Sequence, residues 1–214
     1  MKYRHVAESY DKTFSEDATA HGGEPMPLVH LMERSITSGD VLDIGAGAGR
    51  NSLYLASRGF NVLATDISAV AIKNIRAKAQ AESIALQTDI CDIAEAELAR
   101  DVDVVICANV LHHLHADDAV SVIKKVQQRT RPRGFNIITN FTRSGDDLYK
   151  PSLPQFFLDN KEHLESFYPD WIIHVSFEKN GELYQTGPGG EKLFHAFAGI
   201  LAQKKLATGG DSAC

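Results

Sequence analysis

Val41-Leu-Asp-Ile-Gly-Ala-Gly-Ala-Gly49 is the stretch that decides how this chain folds. A run that is apolar apart from Asp43 passes straight into Gly45, Gly47 and Gly49, the pattern of a buried strand turning tightly toward a helix. Glycine tolerates positive φ and lets a ligand lie against bare backbone. The next apolar run ends at Asp66. An acid about twenty positions beyond the first glycine suits a ribose hydroxyl pair at the end of the neighbouring strand. These features together predict an adenine-nucleoside site.

The residues just past the glycines narrow the nucleoside. The dinucleotide fingerprint G-x-G-x-x-G uses its third glycine for close helix–strand packing beneath a pyrophosphate. Begun at Gly45, the fingerprint meets Arg50 in that place; begun at Gly47, it meets Ser52. The phosphate-cradling G-x-x-x-x-G-K-[ST] loop is absent as well. An adenosine ligand without a phosphate chain fits better, and S-adenosyl-L-methionine leads. Its amino-acid tail is expected over Gly45, Ala46 and Gly47, with Asp43 attracting the ammonium group.

The bulk properties exclude several classes. A length of 214 residues favours one domain with a sizeable core, and a hydrophobic share of 43% is ordinary for a soluble protein. No apolar run approaches the roughly 20 residues that span a bilayer. Met1-Lys-Tyr-Arg-His5 leads into no apolar segment, so no secretory signal is read and a cytoplasmic location is expected. Cys91, Cys107 and Cys214 form no framework and lack zinc spacing. A net charge of −6 leaves no basic footprint for nucleic acid. The cluster Arg129-Thr-Arg-Pro-Arg133 reads as a solvated turn at a helix end.

Along the chain, residues 1–24 are polar and mixed, with Gly22-Gly23 as a hinge. Residues 26–36 carry Leu28, Leu31, Met32 and Ile36 at helical spacing behind Pro25 and Pro27. Alternation then begins: strand 40–44, helix 50–58, strand 60–65, a helix capped by Ser68, strand 84–88, strand 102–107, a helix from Asp117 or Asp118, and strand 135–141. This rhythm predicts an α/β, Rossmann-like sheet of seven mostly parallel strands with helices on both faces. Asp43, Asp66, Asp89 and Asn109 fall at or after strand ends, where ligands bind such sheets. Pro151, Pro154 and Gly145 mark a loop, and residues 160–168 a short helix. Trp171, Ile173, Val175 and Phe177 alternate with His174 and Ser176, and Gly187-Pro-Gly-Gly190 separates that strand from a last one, 193–202. Two strands joined without a helix pair antiparallel. The domain is expected over 25–205, with 1–24 covering the cofactor and 206–214 a flexible tail.

With these motifs the chain resembles the class I S-adenosylmethionine-dependent methyltransferases. Val41–Gly49 is similar to their first motif, Asp66 to the ribose-binding acid, Asp89 to the acid that meets the adenine amino group, and Arg131-Pro-Arg-Gly134 to the turn before strand five. More narrowly it resembles the tellurite-resistance methyltransferases over roughly residues 8–205. Gly49-Arg-Asn-Ser-Leu-Tyr-Leu-Ala56, Leu153-Pro-Gln-Phe-Phe157, Tyr168-Pro-Asp-Trp171 and the segment from Gly181 to Lys204 carry that likeness. Where the family usually has Gly-Glu-Leu-His-Arg-Thr, this chain has Gly181-Glu-Leu-Tyr-Gln-Thr186, and Lys192 stands where an arginine is expected. Tyr184 and Gln185 are neutral and cannot clamp an oxyanion as arginine does.

The expected reaction is direct methyl displacement onto a small-molecule acceptor, of the tellurite or selenite type or another soft nucleophile. Asn109 and His112 border the transferred methyl group in this reading, with Tyr184 on the acceptor side. Tyr10 and Asn51 reach the methionine tail, and Ile67 and Ile90 sandwich the adenine. Leu111-His-His-Leu-His115 lacks a convincing fourth ligand, so no metal is expected. A monomer or homodimer is expected, without nucleic-acid or membrane partners. The competing reading is a protein that binds S-adenosylmethionine without turning it over. A nicotinamide oxidoreductase is disfavoured by the missing third glycine.

Overall fold

The computed structural model describes residues 1–143, 156–186 and 190–206, without the side chains of 183–186. The expected loop at Gly145, Pro151 and Pro154, the turn at 187–189 and the tail with Cys214 lie outside the described residues. The strands are β1 Asp40–Ile44, β2 Asn61–Asp66, β3 Gln87–Ile90, β4 Val102–Ala108, β5 Thr130–Phe141, β6 Trp171–Thr186 and β7 Lys192–Lys204. They form one seven-stranded sheet in the order β3-β2-β1-β4-β5-β7-β6. Neighbours from β3 to β5 pair in parallel; β7 runs antiparallel to both β5 and β6. The helices are α1 Arg4–Glu16, α2 Pro27–Met32, α3 Arg50–Ser57, α4 Ala69–Ala81, α5 Ala116–Arg129 and α6 Lys161–Ser166. Among the described residues, no helix is long and apolar enough to cross a membrane.

Both faces of the sheet are covered, which is why the central strands read as nearly continuous apolar runs. Leu42, Ile44, Val105, Cys107 and Ile138 pack with α5 and α6, while Val41, Val62, Val104, Ile106 and Ile137 pack with α2 and Leu55 of α3. Each such side chain gains about 1.5–3 kcal/mol by burial. A one-residue register slip would exchange the two sets, so the register is held firmly. Ser68 caps α4 as expected, its hydroxyl accepting from the Ala71 N–H at 3.0 Å.

Several local expectations need correction. Strand β5 begins at Thr130, not 135, and runs through Pro132 and Arg133 (φ 67°), with a register shift against β4 between Val102 and Val104. Arg131 is no solvated turn residue: it donates to Asp40 at 2.8 Å and to Asp103 at 2.7 Å, tying β1 and β4 to β5. In β6 the register shifts between Ile173 and Val175. Trp171 therefore packs on the α5/α6 side and Val175 and Phe177 on the α2 side, instead of sharing one face. Residues 1–24 contain a full helix, α1, whose apolar stripe is thin: Ala7 and Phe14 are its buried residues.

Candidate functional site

Strand β1 delivers the chain into a turn that only a permissive backbone can follow. Gly45, Gly47 and Gly49 all have positive φ, of 66°, 57° and 80°. At Gly45 an added Cβ would stand 2.3 Å from Val110 Cγ2, so the turn lies directly against the segment leaving β4. Gly49 plays another part: its missing Cβ makes room for Ile75 of α4 and Leu53 of α3. The Gly47 N–H donates to Asp66 Oδ2 at 2.8 Å, and the Ser68 N–H donates to Asp66 Oδ1 at 2.9 Å. The end of β2 is thereby pinned to the glycine turn. Burial raises the Asp66 carboxyl, while those N–H groups hold it down.

Beyond these strand ends lies a cavity of about 1390 Å³. That exceeds the roughly 300–1,000 Å³ common for a pocket holding one ligand. Of the residues singled out in the sequence, Tyr10, Gly45, Ala46, Gly47, Asn51, Asp66, Ile67, Asn109 and His112 line it. Asn51 spends its side-chain oxygen on the Met26 N–H at 3.0 Å, which anchors the entry to α2. Arg50, also in the wall, lies near the Asp43 charge, and burial lowers its guanidinium below the ordinary range.

Three expected residues are not in that wall. Asp43 is 1% exposed, beneath the turn, and accepts from the Ser52 hydroxyl at 2.5 Å. Its burial pushes the carboxyl up to about 7. Asp89 and Ile90 sit on β3, the open edge of the sheet, and both are exposed. The chain turns inward only after them, where the Cys91 N–H donates to the Asp66 carbonyl at 2.8 Å. Cys91, Asp92 and Ile93 consequently line the cavity in their place. Tyr184 lies on β6 by its backbone, and its side chain falls outside the described residues.

Helix α1 lies over the cavity and contributes Val6, Ser9, Tyr10, Thr13 and Phe14. Polar bonds hold it there. Asp11 Oδ1 accepts from the Ser68 hydroxyl at 2.6 Å and from the Val70 N–H at 3.1 Å. The Tyr3 N–H donates to Asp92 at 3.0 Å, and the Tyr3 hydroxyl donates to Asp118 while accepting from the His115 N–H at 2.8 Å.

On the far side, β4 ends at Ala108 and the next residue, Asn109, has φ 56°. Asparagine tolerates that region better than most side chains. Its N–H donates to the Thr139 carbonyl at 2.8 Å, and its side-chain oxygen accepts from the Thr139 hydroxyl at 3.0 Å. His112 is buried, stacked on Phe141 with centroids 4.3 Å apart, and burial with the neighbouring His113 lowers it well below the usual imidazole range. His113 shares a 2.9 Å hydrogen bond with the Tyr10 hydroxyl, and burial lowers it to about 4. The two imidazoles lie side by side, with centroids 3.9 Å apart and planes tilted by 46°. Among the described residues, no group of His, Cys, Asp and Glu is arranged to hold a metal. Thr139, Phe141, His195 and Phe197 also line this side and were missed from the sequence. The strand-end rule that found Asn109 would have reached Thr139 and Phe141 if applied to β5. His195 needed the antiparallel pairing of β5 with β7.

Known proteins share this arrangement. Residues 14–201 match the family described as tellurite resistance protein TehB. The probable S-adenosyl-L-methionine-dependent methyltransferase TehB of Haemophilus influenzae (strain 10810) is 33% identical over 165 residues, 77% of this chain and 57% of that relative. This chain thus spans little more than half of that relative's length. The crystal structure of TehB from Haemophilus influenzae matches with a TM-score of 0.76 and 28% identity, covering 92% of this chain and 67% of that one. Magnesium protoporphyrin IX methyltransferase from Synechocystis PCC 6803, with bound S-adenosylhomocysteine, shares the fold at a TM-score of 0.68 and 18% identity, covering 96% and 100% of the two chains.

Proposed function

The chain belongs to the tellurite resistance protein TehB family, and from that premise we propose that it is an S-adenosylmethionine-dependent methyltransferase acting on a small-molecule acceptor. The observation that carries this reading is Asp66, buried in the cavity wall and pinned to the glycine turn by the Gly47 N–H. A carboxylate offers about four lone-pair sites. Backbone N–H groups take one on each oxygen, which leaves acceptor capacity for the two ribose hydroxyls.

The remaining wall suits the rest of that molecule. Ile67 and Ile93 offer apolar flanks for the base. The bare backbone of Gly45 and Gly47 suits the amino-acid tail, with the Arg50 guanidinium beside it for the carboxylate. No phosphate cradle is needed. Residues 1–24 form the cover, through α1. Bound there, S-adenosylmethionine supplies an electrophilic methyl carbon on a sulfonium.

The protein's contribution is to hold the acceptor in line and keep water away. Such alignment is worth up to roughly 7–11 kcal/mol of barrier. Asn109, fixed by Thr139, and His112, wedged against Phe141, border the space where the methyl group is passed. Calorimetry with S-adenosylmethionine and S-adenosylhomocysteine tests the reading directly: both are expected to bind, and a folded protein giving no heat with either would end it. Release of S-adenosylhomocysteine in the presence of acceptors separates turnover from mere binding.

A further inference from the structure

Away from the glycine turn the cavity wall changes material. Phe177 of β6 and Phe197 of β7 meet edge to face, with centroids 5.8 Å apart and planes at 87°. Two glycines make room for these rings. A Cβ on Gly181 would stand 2.5 Å from Phe197 Cε1, and one on Gly199 would stand 2.5 Å from Phe177 Cζ. Phe141 continues the aromatic surface, stacked on His112 and edge-on to His195 at 4.8 Å. Met26, Leu28 and Val175 complete it on the α2 side.

The charged side chains described on this side, Lys179 and Glu182, both come from β6. Among the described residues, the lysine and arginine side chains in the cavity wall are Arg50 and Lys179. Arg50 stands at the glycine turn, under the influence of Asp43. The Lys179 ammonium lies 5.3 Å and 5.5 Å over the Phe177 and Phe197 rings. From the described residues a small oxyanion moved here gains no bidentate clamp to offset its lost hydration. A flat apolar body is favoured instead, because ring faces and edges attract one another beyond simple burial.

One polar feature interrupts the rings. His112 Nδ1 and Asn140 Oδ1 are both buried, and the partner each has is the other. The Asn140 amide is already spent on the Phe156 carbonyl at 3.0 Å, so its oxygen is the end left over. That oxygen bears on His112 and favours its protonated form. An Nδ1–H turned toward Asn140 fixes the tautomer and leaves the lone pair on Nε2.

Resting on the methyltransferase reading of the same cavity, we infer that the acceptor is a flat aryl or heteroaryl compound bearing one ionisable O–H, S–H or N–H group, seated against Phe141, Phe177 and Phe197 with His112 taking its proton. The nucleophilic atom forms a bond to the methyl carbon of S-adenosylmethionine. The carbon–sulfur bond breaks with its electron pair left on sulfur, and the acceptor's proton passes to His112 Nε2 and then to water. The products are the methylated aryl compound, S-adenosylhomocysteine and a proton. Asn140 is a positioning residue that holds the ring in the useful tautomer.

The test measures S-adenosylhomocysteine formation by the full chain with 2-naphthol, thiophenol and a series of substituted phenols, beside selenite and tellurite. Expected is a kcat/KM at least 100-fold higher for the best aryl acceptor than for either oxyanion. Phe197→Ala is expected to raise KM for that acceptor about 10-fold. His112→Gln is expected to lower kcat about 10²- to 10⁴-fold with little change in KM, the usual range for a lost general base. That loss should be smallest for the most acidic phenol, a trend that a merely structural role for His112 would not produce. Unchanged S-adenosylhomocysteine affinity in both variants shows that they are folded. Faster transfer to selenite or tellurite, or cofactor binding with no aryl transfer, overturns the inference and leaves the methyltransferase reading standing. Absence of cofactor binding by the unaltered protein removes both.

Discussion

Where β1 and β2 end, the cavity wall is main-chain N–H and carboxylate, drawn from a short stretch between Gly45 and Ser68. Where β4 and β5 end and β7 begins, it is imidazole and phenyl, drawn from positions as far apart in sequence as His112 and Phe197. The first half is polar and directional, so it specifies hydrogen-bonding groups at fixed positions. The second is apolar and shaped, so it specifies a body that fits. A transferase that always uses one donor can build the donor's half locally and rigidly, and let the acceptor's half vary through side chains on distant strands.

The sharpest break in that contrast comes from Asp66→Ala. Hydrogen bonds to a charged group are worth about 1.5–3 kcal/mol each. Losing two should weaken S-adenosylhomocysteine binding on the order of 10³-fold by calorimetry, with circular dichroism confirming the fold. A loss under tenfold would mean that the polar half does not hold the nucleoside. Next in size is Gly45→Ala. A left-handed L-residue costs about 1–2 kcal/mol, and overpacking against Val110 typically adds about 1–3. Denaturant unfolding is expected to show a loss of about 3 kcal/mol. Adding Val110→Ala should restore the packing share and leave the backbone share lost; if the double variant regains nothing, the close approach of turn and β4 exit is not what this glycine accommodates.

Smaller still is a pH effect on the histidine side. His113 falls to about 4 in the folded chain, from a reference of 6.5. Between those values the unfolded chain binds more protons, so its contribution to stability is present above pH 6.5 and lost as the pH falls toward 4. His112 acts with the same sign, and the raised Asp43 and Asp66 act with the opposite one. A comparison with His113→Phe isolates the effect: the unaltered protein should lose about 2 kcal/mol more than the variant between pH 6.5 and 4, after allowance for partial solvent access. Equal pH slopes for the two would show that His113 titrates as if unfolded. Least of all is Asp11→Ala, which removes two bonds from α1 to the start of α4. About 1–2 kcal/mol of local stability should go. Hydrogen exchange in α1 would then quicken and S-adenosylhomocysteine affinity fall several-fold; unaltered exchange would mean that apolar packing alone holds the cover.

Legibility divided along the same line. Gly45, Gly47, Asp66 and the Ser68 cap were readable because each depends on residues a few positions away and on backbone conformations with strong residue preferences. The strand-end rule over-reached at Asp43 and Asp89, because it says where a strand stops and not which way its side chain points. Asp43 turned inward to Ser52, and Asp89 sat on the open edge of β3. The bulge in β6 was invisible because an inserted residue leaves no compositional mark and reverses the face of every residue beyond it. Helix α1 escaped notice because its buried residues are few, Ala7 and Phe14, and its polar anchors lie on distant segments.

The order of strands and helices, the glycine turn and the carboxylate beside it came from the amino-acid sequence alone, since local sterics and hydrophobic period are written in neighbouring residues. Which rings face the acceptor, which acids reach the cavity and which are buried beneath it were decided only by tertiary structure. Those outcomes depend on sheet order, on the antiparallel return of β7 beside β5, and on register shifts that bring residues far apart in the chain to one wall.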